Sequence, residues 1–502
     1  MNLQRLVWLV FLAALVACGP MQDHEATVLH WTDFDDGSYA LATVGDDGSV
    51  STLATGPGRY ILSRNGTIRN LEAFVRRQGD TLVHHVPEAG FAVVETSDPA
   101  AYRRVADVVL PDATFQRDPV RVEAFEADLG DPPSSGSRDF FFDLQWGHVP
   151  VGATPAWAAG VRGADVRVAV IDGGFDLTHP DLAPNINVGL SRNFVDGETL
   201  QYCDSTVDYD PDEILCDPDP GNPESDYVFS HGAHVAGTIG AAQNDFGVIG
   251  VAPDAELVLL KALSDTGSGS FADVAAAMLY AALVDADIAN MSLGALIPQG
   301  LASDARFVAE LRVLMQRVLN FGTWMGTLYV ASAGNEALDL DRTADLVVFP
   351  AGLARVVSVS ATGPSGWAVD PDDAGFDQLA LYSNYGRSAI DVSAPGGDFR
   401  FAFEPGGFDV CVVAGVPNWC FAFDFVFSTG NGGWYWSVGT SMAAPHASGV
   451  AALILSEARA AGRSLTPAQL ERDMYRRAQD LGERGRDPVH GRGAVHSGYF
   501  AD

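Results

Sequence analysis

The segment VRVAVIDGGFDLTHPDL, residues 166–182, decides the fold of this chain. Apart from Arg167 it is apolar up to Ile171, which is typical of a strand buried on both faces of a parallel sheet. Helical stretches, notably Phe271 to Val284 and Ala305 to Phe321, alternate with further apolar runs of this kind. Those runs are Leu257 to Lys261, Ile288 to Ser292, Leu328 to Ala331 and Val356 to Ser360. The alternation predicts an α/β fold in three layers, with a mainly parallel sheet covered by helices on both sides.

Three polar residues stand where such a sheet binds its ligands, beyond the carboxyl ends of the strands. Asp172 follows the first strand and precedes a Gly-Gly turn. His231 opens the small-residue helix of SHGAHVAGTIGA, residues 230–241. Ser441 begins an apolar helix in GTSMAAPHASGVAALIL, residues 439–455. A serine hydroxyl needs a neighbouring base to become a nucleophile, and the base needs a carboxylate to fix its tautomer, so these residue types together indicate nucleophilic catalysis.

The three blocks, in the order Asp, His, Ser, resemble the signature segments of the subtilisin-like serine proteases. The resemblance extends from Gln145 to about Tyr499. The order separates these proteases from chymotrypsin-like and α/β-hydrolase enzymes. The resemblance implies a subtilisin-like fold and a serine endopeptidase. In that enzyme Asp172 orients the imidazole of His231. His231 is the general base and then the general acid, and Ser441 attacks the scissile carbonyl.

Two further blocks fit the same family. TLYVASAGNE, residues 327–336, resembles the segment that brings the family's oxyanion asparagine to the site. It implies that Asn335 donates to the oxyanion together with the Ser441 backbone N–H. The resemblance also implies that substrate binds as an added extended strand and that catalysis needs no cofactor. The implied substrate-binding residues are Ser292, Leu293 and Gly294 on one wall of the S1 pocket, Ala331, Ser332, Ala333 and Gly334 on the other, and Gly267, Ser268 and Gly269 at a more distal subsite.

Residues 1–18 are predicted to be a lipoprotein-type signal peptide. Arg5 is a short basic region, and Leu6 to Leu15 is an apolar run too short to span a bilayer as a helix. The run ends in Leu-Val-Ala-Cys, which resembles a bacterial lipobox and makes Cys18 the expected lipid site; a chance cysteine is the alternative. We therefore expect an exported lipoprotein of the cell envelope, in the outer membrane or periplasm, that contacts membrane only through this anchor.

The chain between the signal and the protease-like region divides into three parts. A polar, glycine-rich segment occupies residues 19–58. Residues 59–127 show the order β-α-β-β-α-β of a small α+β, ferredoxin-like domain, which resembles the inhibitory pro-domain of these proteases. An exposed linker follows at 128–140, and the peptidase domain is expected at 141–502. The resemblance implies autoprocessing between Ala124 and Phe142. If lipid is attached at Cys18 and the pro-domain leaves, the mature enzyme loses its anchor and is released; an enzyme that stays anchored is the alternative.

The cysteines support export. Apart from Cys18 they form two close pairs, Cys203 with Cys216 and Cys411 with Cys420. Disulfides persist outside the cytoplasm, and proximity predicts one bond within each pair. Four cysteines nevertheless permit three connectivities.

The charge of the chain excludes one class of partner. Its formal net charge is −35. Such an acidic surface repels phosphate backbones, so no nucleic-acid partner is expected. The predicted partners are protein or peptide substrates, and we expect a monomer.

Two insertions are longer than expected for a minimal enzyme of this family. Residues 203–227 are rich in carboxylates and are expected to form a solvated acidic loop stapled by a disulfide, since no complete calcium-binding loop motif is present. A structural calcium is the alternative, because carboxylates at such spacing can hold one. Those carboxylates are Asp204, Asp208, Asp210, Asp212, Asp217 and Asp219. Residues 399–436, rich in Phe, Gly and Trp, are expected to border the cleft and narrow substrate choice, or to contact a partner or membrane.

Several residues within the blocks are expected to be structural. His234 shares a helix face with His231, and His179 and His446 have the same interpretation. Pro445 is expected to lack only a donor that the start of a helix leaves unsatisfied anyway.

The predicted function is hydrolysis of peptide bonds in extracytoplasmic proteins or peptides. A catalytically idle envelope protein that keeps the fold and acyl transfer to an amine are the alternatives. Substrate preference stays open. Glu336 is near enough to the expected rim of the S1 pocket to favour a basic side chain of the substrate. The rest of the expected pocket is broad and apolar.

Overall fold

The computed structural model describes residues 29–33, 39–44, 50–52, 58–116, 139–202, 229–298, 302–343 and 346–500. The first elements form a small antiparallel sheet in the order β1-β2-β3. These strands are β1 (Leu29–Asp33), β2 (Tyr39–Val44) and β3 (Val50–Thr52). They lie in the predicted polar segment that follows the signal.

The next unit is a small antiparallel sheet with helices, at residues 58–111. Its elements are β4 (Gly58–Ser63), α1 (Leu71–Gln78), β5 (Thr81–Val86), β6 (Phe91–Thr96), a 3₁₀ helix (Pro99–Arg104) and β7 (Val108–Pro111). The strand order is β5-β6-β4-β7. The second predicted helix is 3₁₀ rather than α, because a run this short forms few i→i+4 hydrogen bonds. A further strand, β8 (Thr114–Gln116), follows.

This small sheet buries both faces. Leu62 and Val94 pack with Leu71 of α1 in one cluster. Their strand neighbours Ile61 and Val93 point to the opposite face and belong to the hydrophobic core of the large domain. Successive side chains of a strand alternate between faces, so one short sheet contributes to two cores.

The large domain begins after residue 139. Its elements up to residue 395 are α2 (Ala153–Ala158), β9 (Arg167–Asp172), β10 (Arg192–Asn193), α3 (His231–Gly240), β11 (Glu256–Lys261), β12 (Ser268–Ser270), α4 (Phe271–Leu283), β13 (Ile288–Met291), β14 (Ala295–Pro298), α5 (Ala302–Met325), β15 (Leu328–Ser332), β16 (Leu346–Phe349), β17 (Val356–Gly363), β18 (Gln378–Leu379) and β19 (Val392–Pro395). The remaining elements are β20 (Val410–Val413), β21 (Val416–Trp419), β22 (Val426–Thr429), β23 (Trp434–Ser437), α6 (Thr440–Ala460) and α7 (Pro467–Arg477).

The central sheet is mainly parallel. Within the described residues it has eight strands in the order β10-β11-β9-β13-β15-β17-β18, with β19 also paired to β17. Only the β17–β18 pair is antiparallel. Helices α3 and α6 pack on one face, and α4 and α5 pack on the other. The predicted three-layer, mainly parallel α/β fold is confirmed.

Strand β9 illustrates why the apolar runs of the sequence are continuous. Val168 and Val170 belong to the core on the α3–α6 side. Ala169 and Ile171 belong to the core on the α4–α5 side. Because both faces are covered by helices, positions 168–171 of the strand are all apolar, between Arg167 at its start and Asp172 at its end.

The insertion before α6 contains two ribbons. Strands β20 and β21 pair as a hairpin, and a disulfide joins Cys411 to Cys420 with Cα atoms 4.8 Å apart. Strands β22 and β23 form a second antiparallel ribbon. The other predicted pair, Cys203 with Cys216, lies outside the described residues. No helix in the described part of the chain combines the length and apolar character needed to cross a bilayer.

Candidate active site

The site lies at the carboxyl edge of the central sheet. Asp172 is the last residue of β9, Ser292 follows β13, and Ser332 is the last residue of β15. These three strands are adjacent and parallel, so their ends meet at one edge. The fold thus brings together residues that lie far apart in the sequence.

Asp172 and His231 are directly hydrogen-bonded. His231 Nδ1 lies 2.7 Å from Asp172 Oδ1, and both side chains are buried. The carboxylate can only accept, so Nδ1 carries the proton and Nε2 is left as the basic nitrogen. Asp172 Oδ1 also accepts from the Gly173 backbone N–H at 2.7 Å, which holds the carboxylate in place. The pair has the geometry of a base and its orienting carboxylate.

The helix that carries His231 is fixed at its start. Ser230 caps it by accepting from the Ala233 N–H at 3.0 Å, and its hydroxyl donates to the Gly174 carbonyl at 2.7 Å. One turn later, His234 Nε2 lies 3.1 Å from the carbonyl oxygens of Val426 and Tyr435 in the β22–β23 ribbon. Burial lowers the pKa of His234 to about 3. This neutral donor attaches the helix to the ribbon, which agrees with the expected structural role.

Ser441 is the second residue of α6 and is buried beside β13. Its Oγ donates to the Ser292 carbonyl at 3.3 Å, and the Ser292 hydroxyl donates back to the Ser441 carbonyl at 2.7 Å. Helix α6 packs against α3, the helix of His231. The structure therefore places all three predicted catalytic residues at the same edge.

Pro445 has a larger effect than the sequence suggested. Helix α6 begins at Thr440, so a residue at position 445 would normally donate its N–H to the carbonyl four residues earlier, that of Ser441. Proline has no N–H. The expectation that the missing donor is immaterial is wrong, because the Ser441 carbonyl has to find its partner outside the helix, and that partner is Ser292.

Two N–H donors converge next to Ser441. Asn335 Oδ1 accepts from the Thr440 N–H at 2.9 Å and from the Thr440 hydroxyl at 2.8 Å, which turns its Nδ2 the other way. A Cβ built on Gly439 would lie 3.5 Å from Ser441 N and 3.7 Å from Asn335 Nδ2. The two nitrogens therefore lie close to one point beside Gly439, each at ordinary contact distance from it. Such a pair of donors can stabilise an oxyanion.

Asn384 holds the turn of Asn335 and was not identified from the sequence. Its Nδ2 donates to the Ala333 carbonyl at 2.9 Å and also to Glu336 Oε2. Its Oδ1 accepts from the Leu338 N–H at 2.9 Å. Asn384 is fully buried. Nothing in its local sequence marks it, because its partners lie in a different part of the chain.

A cleft lies next to Ser441. Its lining combines predicted residues of both S1 walls with residues that the sequence did not reveal. The lining residues are Leu293, Gly294, Ala295, Leu296, Ser332, Gly334, Asn335, Glu336, Val348, Thr440 and Ser441. Ala331 and Ala333 are buried behind the surface. Leu296 and Val348 face each other across the β14–β16 ribbon, which makes this wall apolar.

The predicted distal subsite is part of a β-pair. Ser268, Gly269 and Ser270 form β12, and β12 pairs antiparallel with β8 at Thr114–Gln116. Gly267 forms the preceding turn, with its N–H bonded to the Ser264 carbonyl. An extended segment of the chain's own N-terminal half thus lies along the subsite.

The insertion at 399–436 lies elsewhere than expected. None of the described residues that line the cleft beside Ser441 belongs to it. Its β22–β23 ribbon instead supports the helix of His231 from behind, where the Thr429 hydroxyl donates to the Ala233 carbonyl at 2.7 Å. The insertion therefore does not line this cleft, and many of its apolar side chains, such as Phe421 and Phe423, pack into the core. Phe403 and Val410 are exposed, so the alternative of a partner or membrane contact stays a prediction.

The remaining predicted residues divide into two groups. His446 is buried, lies 2.8 Å from the Met442 carbonyl through Nδ1, and has its pKa lowered to about 4 by burial. His179 Nε2 lies 3.0 Å from the Gly433 carbonyl. Both contacts are structural. The lipidation residue Cys18 and the acidic loop at 203–227 lie outside the described residues. Among the described side chains, no three His, Cys, Asp or Glu residues form a group that could hold a metal ion.

Comparison with known proteins identifies relatives. Residues 163–493 match the subtilase family, Peptidase S8. Subtilisin NAT of Bacillus subtilis subsp. natto is 31% identical over 321 residues, which cover 64% of this chain and 63% of that protein. M-protease of Shouchella clausii is 32% identical over 355 residues, covering 70% of this chain and 69% of that protein. The chain thus spans slightly less than two thirds of subtilisin NAT.

Solved structures share the architecture. A lanthipeptide protease superposes with a TM-score of 0.55 at 26% identity, covering 74% of this chain and 98% of that one. The epidermin leader peptide processing serine protease of Staphylococcus aureus superposes with a TM-score of 0.64 at 20% identity, covering 88% and 97%. Since the family match extends over most of the chain, this protein belongs to the subtilase family.

Proposed function

We propose that this protein is a serine endopeptidase that hydrolyses peptide bonds with Asp172, His231 and Ser441. The observation that carries the proposal is the 2.7 Å hydrogen bond between His231 Nδ1 and Asp172 Oδ1, at the same sheet edge as Ser441. Family membership supports it. His231 Nε2 takes the proton of Ser441 as the hydroxyl attacks, and the Asp172 carboxylate stabilises the imidazolium that forms. His231 then returns the proton to the leaving amine.

The oxyanion of the tetrahedral intermediate is bound by Asn335 Nδ2 and the Ser441 N–H. The Gly439 geometry supports this assignment, because both nitrogens lie within 3.7 Å of one point beside Gly439. Thr440 holds the Asn335 amide in the orientation that presents Nδ2. The donors are already in place before substrate arrives, so they require little reorganisation during the reaction.

Substrate binds as an extended strand between two backbone segments. The first segment is Ser292 to Gly294, which forms one wall of the S1 pocket; Ser332 and Gly334 form its other wall. The second segment is Gly267 to Gly269, at the distal subsite. The pairing of β12 with β8 supports this mode, since an extended peptide already adds to that edge. The P1 side chain enters the cleft lined by Leu296, Val348 and Glu336. Mainly apolar P1 side chains fit these walls, with Glu336 at the rim for a basic end.

The protein is made as a precursor whose pro-domain occupies residues 59–127. The small sheet of this region packs on the same core as α4 and α5, and its continuation β8 lies along the distal subsite. Such a segment blocks the cleft until it is cut. We expect Ser441→Ala to remain at the full precursor length on a denaturing gel while the wild type yields a shorter chain. Equal processing of both proteins would contradict self-cleavage.

The precursor is exported and anchored through lipid at Cys18, and processing releases the mature enzyme. Catalysis needs no cofactor; a structural calcium in the 203–227 loop is compatible with its carboxylates. The substrates are extracytoplasmic proteins or peptides, and the enzyme acts as a monomer. The Cys18→Ser precursor should leave the membrane fraction for the soluble fraction. Unchanged membrane association would refute the lipid anchor.

The catalytic assignment is tested by covalent labelling. Purified wild type, Ser441→Ala and Ser456→Ala are treated with a fluorophosphonate probe and assayed on casein. Ser456 is a matched control, because it is a buried serine on the same helix α6. Wild type and Ser456→Ala should be labelled and cleave casein, and Ser441→Ala should do neither. An unlabelled processed wild type contradicts the peptidase, and labelling of Ser441→Ala contradicts the nucleophile.

A further inference from the structure

A row of buried polar side chains connects β13 with the first two turns of α6. The Ser448 hydroxyl donates to Asn290 Oδ1 at 2.8 Å. Asn290 Nδ2 donates to the Ser292 hydroxyl at 3.0 Å, and that hydroxyl donates to the Ser441 carbonyl at 2.7 Å. Asn290, Ser292 and Ser448 have no exposed surface. A fully buried asparagine in the middle of an apolar parallel strand is costly unless all its polar groups are paired, and here they are.

The spacing of these residues explains how they meet. Asn290 and Ser292 are two residues apart on a strand, so their side chains share one face. Ser441 and Ser448 are seven residues apart on a helix, which is two turns, so they also share one face. That helix face packs on β13. The polar residues of both elements therefore meet inside an otherwise apolar contact.

The row ends on the Ser441 carbonyl, which has no N–H donor four residues later in its own helix. Pro445 removes the intrahelical donor to the Ser441 carbonyl, as described above. The Ser292 hydroxyl replaces it. The first turn of α6, which carries the nucleophile, is thus held to the sheet by a side chain rather than by its own helix.

The direction of every hydrogen bond in the row is determined. The Ser441 carbonyl only accepts, so the Ser292 hydroxyl has to donate to it. The oxygen of that hydroxyl can then accept a hydrogen bond, and it accepts one from the NH₂ group of Asn290. The remaining oxygen of Asn290 accepts from Ser448. Ser448 therefore acts on Ser441 only through Asn290 and Ser292.

We propose that Asn290 and Ser448 are positioning residues for the nucleophile, because they orient the Ser292 hydroxyl toward the Ser441 carbonyl. The proposal rests on the proposed function of Ser441. Fixing this carbonyl fixes the peptide plane that follows Ser441 and the direction of its side chain. A small displacement there separates the hydroxyl from His231 and costs rate rather than substrate affinity.

The test compares Ser448→Ala and Asn290→Asp with wild type. In Ser448→Ala the Asn290 amide loses its only side-chain donor and is free to rotate. In Asn290→Asp, assayed at a pH high enough to ionise the buried carboxyl, both side-chain oxygens accept, so the Ser292 proton turns to the carboxylate and away from Ser441. We expect kcat on a peptide substrate and the rate of fluorophosphonate labelling to fall by about tenfold in Ser448→Ala, with KM within about twofold. The loss in Asn290→Asp should be larger.

Two controls separate positioning from general stability. Ser448→Thr keeps the hydroxyl and should retain most of the wild-type kcat. Ser456→Ala removes a buried hydroxyl from the same helix outside the row and should leave kcat and the labelling rate unchanged. Thermal unfolding of each variant shows whether it is folded under the assay conditions, and Ser448→Ala alone suffices if Asn290→Asp does not fold.

The outcomes are distinct. Lower kcat and labelling rate in Ser448→Ala, at unchanged KM and with recovery in Ser448→Thr, support the proposal. Wild-type rates in Ser448→Ala, or an equal loss in Ser456→Ala, overturn it. A wild type that the probe does not label contradicts the proposed function instead, whatever the variants do.

Discussion

The orientation of the Asn335 amide depends on the hydroxyl of Thr440, and this dependence can be measured. The hydroxyl donates to Asn335 Oδ1 at 2.8 Å and accepts from the Gly334 N–H at 3.1 Å. Thr440→Val keeps the shape of the side chain and removes both bonds. The backbone N–H of residue 440 still donates to Asn335 Oδ1 at 2.9 Å. The Asn335 amide therefore keeps one of its two hydrogen bonds to residue 440 and is held less firmly.

The expected magnitude follows from these contacts. One ordinary hydrogen bond contributes about 0.5–1.5 kcal/mol net. Loss of the bond that orients Asn335 should thus lower kcat by about tenfold, which corresponds to about 1.4 kcal/mol. Removal of the donor itself, in Asn335→Ala, should lower kcat by about 10²–10³, a range measured on a subtilisin. KM should change little in either variant, because the ground-state carbonyl gains less from the donors than the oxyanion does.

A double-mutant cycle tests whether Thr440 acts through Asn335. Initial rates on a chromogenic peptide give kcat and KM for wild type, Thr440→Val, Asn335→Ala and the double variant. Thr440→Ser is the control that keeps the hydroxyl. If the reasoning holds, Thr440→Val costs less than about twofold in the Asn335→Ala background. The same tenfold loss in both backgrounds, or an unchanged kcat in Thr440→Val alone, would refute it.

Three further predictions concern stability and the oxyanion site. Lys261, the only lysine in the chain, is fully buried between Glu198 and Asp265, at 2.7 and 2.6 Å. Lys261→Met should lower the free energy of unfolding by about 3–5 kcal/mol in urea titrations, because it removes the cation that the buried Asp265 shares with the partly exposed Glu198; a loss below about 1 kcal/mol would contradict this. His234 has a pKa of about 3 when folded and about 6.5 when unfolded. Between these values the unfolded chain binds a proton that the folded chain does not, so stability falls as pH falls from about 6.5 toward 3. His234→Gln keeps a donor and should reduce this slope by up to about 1.4 kcal/mol per pH unit, whereas an unchanged slope would exclude His234 as its source. Gly439→Ala places a methyl group 3.5 Å from Ser441 N and 3.7 Å from Asn335 Nδ2 and should reduce kcat; thermal unfolding checks that the variant is folded, since φ at Gly439 is +153°, and a wild-type kcat would show that the oxyanion binds elsewhere.

The sequence by itself determined the layers of the fold and the candidate catalytic residues. Continuous apolar runs such as 168–171 predict a two-sided buried sheet, because a strand covered on both faces has no polar side. Asp172, His231 and Ser441 are recognisable since each stands at the end of a strand or the start of a helix within a local motif. Signals of this kind depend on neighbours in the chain, so they can be read without coordinates.

The tertiary structure decided which groups complete the site. Asn384 holds the Asn335 turn, and Leu296 pairs with Val348 in the ribbon that forms the apolar wall of the cleft, through contacts between segments that are distant in sequence. The 399–436 insertion proved to support the His231 helix rather than to line the cleft beside Ser441. Composition could not show this, because an aromatic segment packs equally well on either side of a helix.

Pro445 illustrates the difference most directly. The sequence shows that a proline stands early in the helix, but the consequence depends on where that helix begins. Because it begins at Thr440, the carbonyl left without a donor belongs to Ser441. Only the packing of α6 against β13 supplies the Ser292 hydroxyl in its place. Local sequence thus specifies the residues and the helices and strands that carry them. Their hydrogen-bond partners depend on how those helices and strands pack, because the direction and distance of a side chain do not follow from separation along the chain.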